Sequence, residues 1–179
     1  MKRHQIEKII RETMIRVGVT REVRLERNGI NMTYHFIHDY ITFDPDRIPE
    51  AVSEQKRTVS LETYVAAITM HELGHALDRR ALLAGLPLSR EVYQMRKTTP
   101  PKVLERNPEY MAKVIYEEER NLIAEKTAWA NAAELNRKYR LISELDFEAI
   151  RRQSLSTYER RLAGKVKVYR MAAGEDVGE

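Results

Sequence analysis

The chain has 179 residues, of which 42% are hydrophobic and 32% charged, and it contains no cysteine. That is apolar material enough for one core without staples, and it excludes disulfides and every thiolate metal site. A net charge of +4 and a pI near 9.3 suit an acidic partner. Charges interrupt every apolar run, so neither a membrane span nor a signal-peptide core is legible, and a cytoplasmic location without a membrane partner is expected.

Residues 2–16 read as an amphipathic helix, with Ile6, Ile9, Ile10 and Met14 on one face and Gly18 to end it. Weak alternation follows from Glu22 to Glu26, then Asn28-Gly29, a hairpin-type turn signal. Met32 to Ile37 and Tyr40 to Phe43 read as strands, and Asp44-Pro45 stops the second. The expectation is a small, mostly antiparallel or mixed sheet of about three strands.

From Ser60 the period becomes helical, with Ser60 as N-cap and Glu62 in the first turn. Tyr64, Ile68, His71, His75, Asp78 and Leu82 share one stripe, and Gly85 with Pro87 marks the expected end. Gly74 stands mid-helix, where it costs about 1 kcal/mol against alanine. Its physical use there is close approach by another backbone. Thr98-Thr99-Pro100-Pro101 is a break, and Asn107-Pro108-Glu109 opens a helix expected to reach about Arg140. A last helix is expected from about Ser143 to Leu162. The predicted organisation is one domain over residues 1–163 and a flexible C-terminal tail over 164–179.

The chemistry-bearing motif is His71-Glu72-Leu73-Gly74-His75. Histidines four apart lie about 40° apart around a helix, so both imidazoles can reach one ion. Glu72 then projects beside the ion, where it can take a proton from an activated water. A catalytic zinc wants a third protein ligand, which here must be His, Asp or Glu. His4, His35 and His38 all lie upstream and read as surface residues.

The helix after Asn107 offers better candidates. Met111, Ile115, Glu118, Leu122, Glu125, Trp129 and Ala132 form a stripe that is apolar except for two glutamates. A buried carboxylate needs a proton, a partner or a metal. Glu125 or, alternatively, Glu118 is therefore the third ligand; a buried pair with an arginine is the competing use of either. Glu117 and Glu119 fall off the stripe and read as solvated.

These residues together resemble the gluzincin class of zincin metallopeptidases and, in size, the single-domain minigluzincins. In that class a second helix supplies a glutamate ligand, often within E-x-x-A, and Glu125-Lys126-Thr127-Ala128 matches. The resemblance covers roughly residues 32–135. It implies a predominantly helical α+β, zincin-like fold with the sheet packed on the H-E-x-x-H helix. It implies one zinc ion on His71, His75 and Glu125, with Glu72 as general base, and a peptide or protein as substrate. An edge strand binds substrate in that class, which points to Tyr40, Ile41, Thr42 and Phe43. Asp78 and Ala81 stand where the metzincin pattern has glycine and histidine, and Ala81 where the aspartate-ligand pattern has its acid, so neither class fits. Tyr93, Tyr110, Tyr116 and Tyr158 are the tyrosines open to a transition-state role. Asp78, or Glu118 if Glu125 is the ligand, is a candidate to orient a ligand histidine.

The competing reading is a non-catalytic metal-binding or basic helical interaction module. Arg151, Arg152, Arg160, Arg161, Lys165, Lys167 and Arg170 would then form a surface for a protein or nucleic-acid partner. A solvated helix face accounts for the same cluster.

Overall fold

The computed structural model describes residues 2–174. Helix α1 (Lys2–Val17) buries Ile6, Ile9, Ile10, Met14 and Val17. Gly18 ends it at φ +71°, a left-handed conformation that glycine adopts without a Cβ penalty.

Strands β1 (Glu22–Leu25), β2 (Met32–His35) and β3 (Tyr40–Phe43) form one mixed sheet in the order β1-β3-β2. β3 runs parallel to β1, pairing Val23 with Ile41, and antiparallel to β2, pairing Tyr34 with Ile41. The expected hairpin at Asn28-Gly29 is therefore corrected. That loop is instead folded onto Asp44, which accepts from the Gly29 amide at 2.9 Å while its own amide donates to the Asn31 carbonyl. The hairpin closes at residues 36–39, where Asp39 takes φ +58° and its amide and that of His38 donate to the His35 carbonyl. β3 buries Ile41, Thr42 and Phe43 in succession. A strand covered on both faces belongs in the middle of a sheet.

After α2 (Arg47–Ser53), α3 (Leu61–Leu77) starts at Ser60, whose hydroxyl accepts from the Thr63 amide at 3.0 Å. It is buried almost all round from Tyr64 to Ala76. Such a helix is the axis of a core rather than a surface element. The α1 helix, β2 and two later helices pack about it. β2 lies directly on it: the Thr69 hydroxyl faces the Met32 sulfur, and the Tyr34 amide reaches Glu72.

α3 ends at Leu77, not at Gly85, and α4 (Arg79–Thr98) carries both Gly85 and Pro87 inside it. Pro87 is exposed, and so is Leu83, whose carbonyl it leaves without a donor. The short α5 (Pro101–Arg106) follows the Pro100-Pro101 break. α6 (Pro108–Tyr139) opens on Asn107, whose side chain accepts from the Glu109 and Tyr110 amides. Arg140 closes it in the left-handed region, and Asn136 clamps both backbone groups of Ile142.

α7 (Glu144–Ala172) starts at Ser143 and passes through Gly164 without a break. The tail expected from residue 164 is thus helical to Ala172, and residues 175–179 of it lie outside the described residues. Val168 and Tyr169 pack on a second small core of Val92, Leu104, Met111 and Val114, and this contact carries the helix past the glycine. The architecture is α+β and mainly helical, with the small sheet on α3.

Candidate metal centre

The site is made where α3 and α6 touch. A Cβ on Gly74 would stand 2.1 Å from the Ala128 carbonyl oxygen, closer than any side chain is tolerated. Only glycine permits this approach, and the Asn131 amide secures it by donating to the Gly74 carbonyl at 3.0 Å. The helices run antiparallel there: His71 stacks on Trp129 at 4.3 Å between ring centroids, while His75 meets Glu125. One turn of α3 thus faces one turn of α6.

Glu125 consequently sits between the two histidines. Its Oε2 lies 3.2 Å from His71 Nε2 and its Oε1 3.4 Å from His75 Nε2. The three ligand atoms all lie within 4.8 Å of one another, and among the described residues this is the group that could hold a metal ion. The donor chemistry fits: two imidazole nitrogens and a carboxylate suit zinc and several other divalent ions. So does the hydrogen bonding, because Glu125 Oε2, the oxygen that faces His71 Nε2, is buried with no aligned hydrogen bond. A buried polar atom left in this way is costly unless a partner occupies the space before it.

The charges are strongly interdependent. Burial alone would raise the Glu125 pKa, but the facing imidazoles of His71 and His75 outweigh it and hold the carboxyl far below its ordinary value. Burial works against charge on His75, and the Glu125 carboxylate reverses this, raising the imidazole pKa. Glu72 is 8% exposed. Its burial pushes its pKa up, and the two histidines and the Tyr34 amide offset only part of that.

Glu72 is also anchored. Its Oε2 accepts the backbone N–H of Tyr34 at 2.7 Å. That amide belongs to the edge of β2 away from β3, so the free edge of the sheet passes directly beside the centre. The expectation that Tyr40, Ile41, Thr42 and Phe43 form an exposed edge is corrected, since β3 has a neighbour on both sides. The strand edge beside the histidines is Met32–His35.

A cleft of about 350 Å³ opens onto His71 and Glu72, with Met32 and Tyr64 on one wall and Thr157 and Tyr158 of α7 on the other. Of the four tyrosines the sequence left open, Tyr158 is the one in this cleft. Burial raises its pKa well above the ordinary value, and its hydroxyl interacts with the Glu125 carboxylate. Tyr93 and Tyr116 are 61% and 54% exposed, and Tyr110 packs with the second core.

The structure places the other candidates elsewhere. Glu118 is not in the centre: it is buried against Arg161 at 2.7 Å and Arg96 at 3.4 Å. That pairing also removes it as a hydrogen-bond acceptor for a ligand histidine. Glu117, read as solvated, is 7% exposed and lies 3.2 Å from Arg96. α6 is clasped by α4 as well as by α3, so more than one of its faces is covered. Asp78 caps the junction of α3 and α4 and acts on His75 through its charge. His35 stacks on Tyr40 and bonds Thr42, away from the centre. No family model, no curated protein and no solved structure matches this chain.

Proposed function

We propose that the protein is a zinc-dependent peptidase of gluzincin type, with the metal on His71, His75 and Glu125. The observation that carries this reading is the Glu125 carboxylate, delivered by a separate helix between the two imidazoles of an H-E-x-x-H turn. When bound, the ion supplies acidity to a water and polarises the carbonyl under attack.

The chain's own groups do the rest. Glu72 takes a proton from the attacking water and returns it to the leaving amine; its raised pKa suits a base that must release the proton again. The Tyr34 amide fixes the Glu72 carboxylate in that position. Beside the Tyr34 amide, which Glu72 occupies, the outer edge of β2 offers an extended peptide backbone a strand to pair with, which draws the scissile bond alongside α3. Tyr158 stands across the cleft with a hydroxyl able to donate to the oxyanion as it forms.

The test is Glu72→Gln in the zinc-loaded protein, assayed on a library of quenched fluorescent peptides. The expected result is one zinc per chain as in wild type and turnover reduced by about 10²-fold or more. A variant that cleaves as fast as wild type would overturn the mechanism. A wild type that holds zinc and cleaves nothing would leave a non-catalytic metal site.

A further inference from the structure

Helix α6 carries two more buried carboxylates, Glu117 and Glu118, about two turns before Glu125 and outside the metal centre. Glu118 is 6% exposed. Its Oε2 accepts from Arg161 Nε at 2.8 Å and lies 2.7 Å from Arg161 Nη2, while its Oε1 lies 3.4 Å from Arg96 Nη2. Arg96 is shared with Glu117. The pairing therefore ties α6 to α4 and α7 at once.

A buried carboxylate is costly, and two guanidiniums on it offset that cost while holding one geometry. The geometry has a particular consequence here. The Arg161 guanidinium stands 5.3 Å from the centroid of the Tyr158 ring. Tyr158 lies three residues earlier on α7, lines the cleft that opens onto His71 and Glu72, and interacts with the Glu125 carboxylate. Residues seven apart on a helix share a face, so Glu118 stands two turns along α6 on the face that carries Glu125.

We infer that Glu118 is a positioning residue: by fixing Arg161 it holds the Tyr158 ring on the wall of the cleft that opens onto the metal centre. This rests on the reading of Glu125 as a metal ligand. Neither Glu118 nor Arg161 touches the centre, and both act through Tyr158.

The test uses the full chain with its tyrosines labelled at Cζ, the Tyr158 signal being assigned by its absence from Tyr158→Phe. In the metal-free chain Glu118→Gln shifts or splits the Tyr158 signal, and Arg161→Lys, which keeps a cation for Glu118, leaves it near the wild-type position. In chelator competition Glu118→Gln weakens zinc binding about tenfold, the low end for loss of support behind a ligand. In a Tyr158→Phe background the same change weakens it no further. An unmoved Tyr158 signal in Glu118→Gln overturns the proposal. So does an equal loss of zinc affinity with and without the tyrosine hydroxyl, which is the mark of a merely structural pair. A wild type that takes up no zinc removes the peptidase reading instead, and the Tyr158 signal then still decides the positioning role.

Discussion

Trp129 is the single tryptophan of the chain, and its ring lies 21° from parallel with the His71 imidazole. Metal binding at His71 is therefore expected to alter its emission. Titrating zinc into the metal-free protein is expected to give a saturable fluorescence change, absent in Glu125→Gln; an emission unchanged at full loading would place the metal elsewhere. The pH dependence follows from two opposed shifts. His75 has a folded pKa raised above 6.5, so its contribution to stability is complete below that value and is lost as pH rises through the raised one. Glu125 has a folded pKa lowered from 4.5, so its contribution is present above that value and is lost as pH falls toward the lowered one. The metal-free chain is expected to be most stable from about pH 5 to 6.5, inside that window. Zinc must displace the His75 proton, so its affinity rises with pH and the optimum moves upward. Thermal denaturation against pH, with and without zinc, measures both; equal optima would contradict the account.

At the scale of elements, the contact of α3 with α6 sets the distance between ligands. Gly74→Ala gains about 1 kcal/mol of helix propensity and meets the Ala128 carbonyl at 2.1 Å. Overpacking against backbone costs about 1–3 kcal/mol or more, so the variant is expected to be less stable and to bind zinc more weakly. Denaturant unfolding and chelator competition check this; unchanged stability would show that the helices separate freely. Elements with local signals were legible. Ser60, Asn107 and Ser143 each start a helix because the capping side chain and the amides it meets are neighbours in sequence. Gly74 was legible as a close approach because no other use offsets its propensity cost. The junction at Asp78 and the central place of β3 were not, since both depend on what packs around them. Pro87 reads as a terminator until it and Leu83 are placed on the exposed side of α4.

For the whole molecule, α7 decides what the sequence left open. It closes one wall of the cleft with Tyr158, and its last turns dock on the second core. Gln153 straps it to the loop after α2, accepting from the Lys56 amide and donating to the Glu54 carbonyl. Phe147, Ile150, Ser154, Tyr158 and Arg161 recur at spacings of three and four, the trace of this packing in the sequence. The basic residues of α7 obscured it: Arg161 reads as surface charge until Glu118 is placed beside it. Glu125 was legible as an acid on an apolar stripe, yet Glu118 met the same criterion. The choice between them is tertiary, made by the close passage of Ala128 over Gly74.

The central claim is that His71, His75 and Glu125 hold one ion. It is tested most directly by bound metal per chain in purified wild type beside Glu125→Gln and Glu118→Gln. One zinc is expected in the wild type and in Glu118→Gln at saturating metal, and its loss in Glu125→Gln. Full retention in Glu125→Gln, or no zinc in a saturated wild type, would contradict it.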